Sequence, residues 1–326
     1  MEGGLEQLVL EAKEFKRNSY ALSTQKTYRS QLRRYLQFCL DFECSPMPAS
    51  QGTLICYTAF LARSISASSI PNYLNVVRLL HLESGLPNPL EGNFELSMLK
   101  RGIKRVKGVP PCQKEPSTIS ILRRMYGYLD LTKPSDLSFW SVALIAFFGF
   151  LRKSSVLPES KNFDAKKTLL RSDVSKLCLS SFVLQCRHSK VVQFGQKVLS
   201  LPYVACADLS LCPVRALLAH FGASPLGARR PLFNYLCLGW ECAMTQADFV
   251  SRLKFLLCKA GVKAEDFSAH SFRRGGASYA FSIGTSPLQI KLRGDWASNA
   301  YERYIFISSG ATLAVASLLA AGVGPI

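Results

Sequence analysis

The stretch Gly108-Val-Pro-Pro-Cys-Gln-Lys-Glu-Pro116 constrains this chain more than any other feature, because it can belong to neither a helix nor a central strand. Proline lacks an amide hydrogen and fixes φ, so three prolines beside a glycine and two charges make a stiff, exposed connector. It predicts a domain over residues 1–107, a linker over 108–116 and a second domain over 117–326. A chain of 326 residues is long enough for two separate cores. Internal repeats and low-complexity tracts are absent from the sequence.

Before the connector the apolar spacing is helical. Ser23 and Thr24 offer an N-cap, after which Tyr28, Leu32, Tyr35, Leu36 and Cys39 recur at helical spacing, with Lys26, Arg29 and Arg33 on the opposite face. Residues 51–63 read as a second, apolar helix. Ser68 and Ser69 with Pro71 open a third that ends near Gly85, and a fourth covers about residues 94–105. That last helix carries Lys100, Arg101, Lys104, Arg105 and, just past it, Lys107. A charge run is usually a solvated helix end, but beside a linker in so basic a chain it points to phosphate contact.

After the connector the pattern mixes. Residues 117–128 and 138–151 read as helices, the second so apolar that it is buried on most sides. Composition turns strand-like over 169–203, with Phe182–Cys186 and Val198–Pro202 joined by a polar turn. Helices resume at 214–221, 246–260, 271–283, 287–292 and 299–305. The expected fold class is mainly α with a small β-sheet, a helical N-terminal domain followed by an α+β domain.

Forty Lys+Arg against twenty-two Asp+Glu leave a net charge of +18. That excess favours a polyanionic partner, nucleic acid first and an anionic membrane second. Residues 1–20 carry Glu2, Glu6, Glu11 and Glu14 and lack an apolar core of secretory length, so an intracellular protein is expected. The eleven cysteines are scattered, mostly in apolar runs such as those around Cys39 and Cys258, and read as reduced, buried small hydrophobes. Cys206/Cys212 and Cys237/Cys242 lack the tight paired spacing of a zinc site, so no metal is expected. Phe139–Leu151 is too short to span a bilayer and runs into Arg152-Lys153, while the apolar tail 311–326 reads as a docking segment. No membrane partner and no small-molecule substrate are expected.

Six residues suggest a reaction. Strand cleavage without a metal needs guanidinium donors for the nonbridging oxygens of a pentavalent phosphorus, which Arg152 and Arg273 can supply. It needs a nucleophile whose phosphate ester conserves bond energy, as the hydroxyl of Tyr304 does, and proton handling by His270. Lys190, in the expected hairpin, can reach the leaving group, and Trp296 can wall the pocket. Each has an ordinary reading too: Arg152 as a helix-end charge, Lys190 as a solvated turn, Trp296 and the tyrosines as packing. Tyr301 stays open beside Tyr304 as the attacking residue.

Taken in order, these residues resemble the tyrosine recombinases, the phage-integrase-like site-specific recombinases. Ser23-Thr-Gln-Lys-Thr-Tyr28 through Gly102-Ile-Lys-Arg105 is similar to their helical, SAM-like core-binding domain. Gly149-Phe-Leu-Arg152 resembles the first arginine box, and Phe267-Ser-Ala-His270-Ser-Phe-Arg273-Arg-Gly-Gly276 the second. Leu292-Arg-Gly-Asp-Trp296 stands where the family has His or Trp, and Asn299-Ala-Tyr-Glu-Arg-Tyr304-Ile305 is similar to the nucleophile helix. Arg152-Lys-Ser-Ser-Val-Leu-Pro158 with Trp296 is closest in form to DIRS-type retroelement recombinases. The resemblance implies cleavage and rejoining of double-stranded DNA through a 3′-phosphotyrosine, with no cofactor, in a homotetramer whose C-terminal segment, Ala311–Leu319 here, docks on a neighbouring subunit. Two departures stand out: Ser155 replaces a frequent acidic residue, and the Trp296-to-Tyr304 spacing is one residue shorter than the commonest. A DNA-binding protein that has lost strand exchange and a type IB topoisomerase-like enzyme remain as alternatives.

Overall fold

Aromatic residues one helical turn apart close the core of the first unit. In the computed structural model, which describes residues 2–109, 113–188, 198–306 and 317, the chain divides into units Met1–Cys112 and Gln113–Ile326. The first contains α1 (Glu2–Arg17), α2 (Leu22–Asp41), α3 (Gln51–Ala62), α4 (Ile70–Glu83) and α5 (Phe94–Lys107). Tyr35 and Phe38 of α2 meet Tyr57 of α3 at ring distances of 5.0 and 5.1 Å, and Leu74 and Val77 of α4 complete this core. Ser50 and Asn93 cap α3 and α5 by accepting the amide hydrogens of Thr53 and Leu96 at 3.0 and 2.9 Å. Ser23 and Thr24 do not cap α2. Gln25 donates to the carbonyls of Arg17 and Tyr20 and ties back the incoming chain, so the helix already begins at Leu22. Helix α1, which the periodicity did not announce, is solvent-exposed from Gly4 through Arg17.

The second unit contains α6 (Ile119–Tyr126), α7 (Pro134–Phe148), α8 (Lys153–Val156), α9 (Pro213–Ala223), α10 (Gln246–Lys259), α11 (His270–Ser282) and α12 (Pro287–Arg293). Its strands are β1 (Val174–Ser175), β2 (Ser181–Cys186), β3 (Leu199–Val204), β4 (Tyr235–Cys237) and β5 (Trp240–Cys242). Helix α7 is the axle: every residue from Ser138 to Phe147 is buried, and it packs on α9 and α11. Its polar groups are all answered, Ser138 donating to the Phe233 carbonyl at 2.6 Å, Ser141 to Ala216 at 2.7 Å and the Trp140 indole to Ser210 at 2.8 Å.

The strands form an antiparallel sheet in the order β1-β2-β3 and, apart from it, a β4-β5 hairpin. The mainly α class with little sheet therefore holds, with two small sheets in place of one. The 108–116 segment is only partly a connector. Pro116 is buried, and the amides of Glu115 and Ser117 donate to the carbonyls of Asp266 and Ser271 at 2.7 and 2.9 Å. Extended backbone that cannot continue an element has satisfied its donors on the loop before α11 and the first turn of that helix. The cysteines are more varied than expected: all ten described are free, with Cys39, Cys186 and Cys212 buried but Cys56, Cys178, Cys237 and Cys258 exposed. No described helix is long and apolar enough to cross a membrane.

His220 of α9 is fully buried and donates from Nε2 to the Leu232 carbonyl at 3.0 Å. Burial pushes its pKa from 6.5 down to about 4. The unfolded chain therefore takes up this proton first, and stability is full above pH 6.5 and falls as the pH drops toward 4. The loss at this one site approaches about 3 kcal/mol. Thermal melts between pH 7 and 4.5 should show that fall, and His220→Gln, which keeps the Nε2 donor, should flatten it.

Candidate active site

Helix α7 ends in a turn that no β-branched or aromatic residue prefers. Gly149 closes the helix, and Phe150 then adopts φ of 50°, the left-handed region in which a bulky side chain is strained. The strain has a visible result. The carbonyl of Phe150 turns toward α11 and accepts from Nη1 of Arg273, and two residues later Arg152 begins the short helix α8. The close approach of α11 requires Gly276, where a Cβ would strike the Phe147 carbonyl and the Phe150 ring.

Arg273 is the most deeply buried charge of the site, 1% exposed. Nη2 donates to the Gly294 carbonyl at 2.9 Å, and the guanidinium lies 3.8 Å over the Trp296 ring and 5.3 Å from that of Tyr304. Burial, then the like charge of Arg152, hold its pKa well below the ordinary arginine value, with Tyr304 and Asp295 acting the other way. The direction reflects desolvation first and the like charge of Arg152 second. A buried guanidinium beside a half-buried one is a place that a phosphate diester would suit. Among the described residues, Nε of Arg273 and Nε1 of Trp296 are buried donors without a hydrogen-bond partner. Nε of Arg171, Arg252 and Arg274 are unpaired as well, but among the described residues only in Arg273 and Trp296 do two such donors belong to groups stacked on each other, where one acceptor would meet both.

The tyrosines occupy a 3-10 helix, Asn299–Tyr304, where an α-helix over 299–305 was expected. Trp296 meets Tyr301 at 6.3 Å and Tyr304 at 5.2 Å. Tyr301 is buried in the small cluster with Phe150, Ile290 and Trp296. Tyr304 is half-buried and lines a cleft of about 350 Å³ together with Lys114, Ser268, His270, Arg274 and Arg303. His270 opens α11 and is exposed at that cleft, one turn before the buried Arg273. Ser155 is buried, and its amide donates to the Arg152 carbonyl at 2.9 Å. A larger, mostly apolar cleft of about 740 Å³ is lined by Phe150 and Gly276 among others, but by none of Arg152, His270, Arg273, Trp296 and Tyr304.

Arg152, His270, Arg273, Trp296 and Tyr304 are thus gathered within one unit. Lys190 and the segment Ala311–Leu319 lie outside the described residues. Nearby in the chain, Arg187, just past β2, grips Asp173 through Nε and Nη2 at 2.6 and 2.7 Å. In the first unit Lys26, Arg29, Arg33, Arg101, Lys104 and Arg105 are exposed and Lys100 half-buried, and none has an ion-pair partner among the described residues. Sequence reasoning missed Lys114, Arg274 and Arg303. The only signal for the two arginines was that each sits beside a residue already singled out. Among the described residues no cluster of His, Cys, Asp and Glu could hold a metal ion.

No protein-family model matches the chain. It is 24% identical over 292 residues, 87% of its length and 81% of the other protein, to an integrase/recombinase XerD homolog of Selenomonas ruminantium. Its fold matches that of a XerH site-specific recombinase in a post-cleavage complex with a palindromic difH substrate, with a TM-score of 0.61 at 15% identity, covering 93% of this chain and 81% of that one. It also matches a Tn1549 transposon integrase in complex with circular intermediate DNA (TM-score 0.58, 14% identity, 93% and 96% covered). A lambda integrase dimer bound to a core site gives a TM-score of 0.58 at 12% identity, with 91% and 93% covered. The fold of this chain is that of the tyrosine recombinases. The resemblance read from its boxes is borne out at that level, and the DIRS-type form is not reached by these matches.

Gly294 allows the Trp296 ring to lie against it, since a Cβ there would collide with the indole. Gly294→Ala should therefore displace Trp296 from beneath Arg273 and cost about 1–3 kcal/mol by overpacking. A thermal melt that matched the parent protein would contradict this.

Proposed function

We propose that this chain is a site-specific DNA recombinase that cleaves and rejoins strands through a 3′-phosphotyrosine at Tyr304. The observation that carries the reading is the unmatched positive site: Arg273 desolvated beside Arg152, with the unpaired donors Nε of Arg273 and Nε1 of Trp296 in ring contact. In this reading the Tyr304 hydroxyl attacks phosphorus and passes its proton to His270. The bond from phosphorus to the 5′ oxygen breaks, and that oxygen leaves as a hydroxyl with a proton from Lys190. The guanidiniums and the indole hold the nonbridging oxygens while their charge grows. The phosphotyrosine keeps the energy of the ester, so religation by another 5′-hydroxyl needs neither ATP nor a metal.

The similar proteins, an integrase/recombinase, a transposon integrase in complex with DNA and a site-specific recombinase bound to its substrate, support this class of reaction. We assign residues 1–107 to DNA binding as the core-binding domain and 117–326 to catalysis, with assembly as a homotetramer on DNA through the C-terminal segment. The form Arg152–Pro158 with Trp296 supports a place among the DIRS-type relatives. The protein would then work inside the cell, in the nucleus if its host is eukaryotic.

The test is covalent capture on a pool of nicked duplexes of randomised sequence, followed by denaturing electrophoresis. Wild-type protein should yield adducts, Tyr304→Phe none, and Tyr301→Phe should retain them. Arg152→Ala and Arg273→Ala should each lower capture on the order of a hundredfold or more, by analogy with losing an oxyanion donor. Adducts from Tyr304→Phe would move the nucleophile elsewhere, and salt-dependent binding with no adduct from any form would leave only a DNA-binding protein, the reading that Ser155 favours.

Basic residues of the first unit should appear in the salt dependence. Replacing Lys100, Arg101, Lys104 and Arg105 by Gln should flatten the slope of log affinity against log salt by about 0.9 for each residue that touches phosphate. An unchanged slope in a filter-binding titration would remove α5 from the DNA interface.

A further inference from the structure

The 3-10 helix stops at Tyr304, so the backbone there needs partners from outside the helix. One side chain provides two of them. Oγ of Ser278, on α11, donates to the Tyr304 carbonyl at 3.2 Å and accepts the amide hydrogen of Phe306 at 2.8 Å. A hydroxyl can do both at once, having one donor and two lone pairs. One turn earlier, the Arg274 guanidinium lies 5.7 Å from the Phe306 ring, while Nη1 donates to the Lys114 carbonyl at 2.5 Å. His270, Arg274 and Ser278 recur every fourth residue and so share one face of α11. The helix that bears His270 and Arg273 also holds the backbone from which Tyr304 extends.

We propose that Ser278, assisted by Arg274, is a positioning residue that fixes the Tyr304 segment against α11 and so sets the distance between the phenol and the clamped phosphorus. The proposal rests on Tyr304 as the nucleophile and deepens that reading. The Tyr304 ring rests against Trp296 and Arg273, and Ile305 packs on the same small cluster, but the Tyr304 carbonyl and the Phe306 amide are tied by Ser278. Tyr304 is half-buried at the cleft, and Phe306 just beyond it is exposed. The place of the Tyr304 hydroxyl is therefore set by those ring contacts together with the point at which the backbone is tied. A misplacement of about 1 Å at a reacting atom can cost on the order of a hundredfold in rate.

The test uses full-length protein on a duplex recovered by covalent capture. Ser278→Ala removes both bonds; Ser278→Thr keeps the hydroxyl. Single-turnover adduct formation should fall between about tenfold and a hundredfold for Ser278→Ala, with DNA affinity within about twofold of the parent, and Ser278→Thr should recover most of the rate. A second measurement separates the position of the tyrosine from the integrity of the clamp. Hydrogen peroxide, supplied as a small nucleophile to the Tyr304→Phe protein, attacks the same phosphorus and expels the 5′ oxygen without any phenol. Ser278→Ala added to Tyr304→Phe should leave that peroxide cleavage unchanged. The latch is overturned if Ser278→Ala forms adducts at the parental rate, or if peroxide cleavage falls together with adduct formation. Adducts from Tyr304→Phe itself would instead overturn the nucleophile on which the latch depends.

Discussion

The guanidinium of Arg273 is buried to 1% exposure and has no carboxylate among its hydrogen-bond partners. An unpaired charge in such a place costs several kcal/mol, and a fold tolerates it only when the surroundings are built to hold it. Here they are two backbone carbonyls, from Phe150 and Gly294, and the face of Trp296 at 3.8 Å. Lysine could not replace it, because a compact, strongly hydrated ammonium cannot bond two separated carbonyls in one plane while stacking on an indole. The left-handed turn at Phe150 aims one of those carbonyls at this group, Gly294 leaves room for Trp296 beneath it, and Gly276 lets its helix come close enough to reach both.

Under the proposed function, the same arrangement would suit a phosphate. Its donors are oriented by the fold before any ligand arrives, so little reorganisation is left for the moment of reaction. Under the proposed reading, a diester oxygen would lie beside both arginines and accept from Nε of Arg273 and Nε1 of Trp296, which have no partner among the described residues. In that reading, stability given up in seating these charges would reappear as selective binding of negative charge, most of all at the pentavalent phosphorus.

Much of this could be read from the chain, and what could not has physical reasons. The nearly all-apolar α7 and helices α2 to α5 of the first unit followed from composition and spacing, since a buried face repeats with the helical period, whereas the exposed α1 has no such face. Hairpin β4-β5 was missed because its turn is Leu238-Gly239, with φ of 50° and 82°. That conformation is usually marked by Asn-Gly or Asp-Gly, and a leucine there gives no warning. Gly294 and Ser278 were illegible for another reason. Their roles consist of contacts with residues 2 and 26 positions away, and neither a glycine after an arginine nor a serine in a helix announces its partner. The boxes around Arg152 and Arg273 were legible as residue types in order, but the strain at Phe150 that joins them is a property of the backbone.

The difference between the two tyrosines also depends on backbone geometry. At the 3.6-residue period, positions three apart diverge by about 60° around a helix, and a choice between Tyr301 and Tyr304 would be a choice of face. The segment is instead a 3-10 helix, in which residues three apart eclipse one another. Both rings therefore stand in one column beside Trp296, and depth separates them. Tyr301 is spent on packing, with 8% exposure in the cluster of Phe150 and Ile290, while Tyr304 stands one turn further along, at the cleft that His270 also lines. Because the column ends there, the hydroxyl nearest the cleft belongs to the residue whose backbone the helix itself no longer holds, which is why an anchor from α11 matters at this position and not at Tyr301.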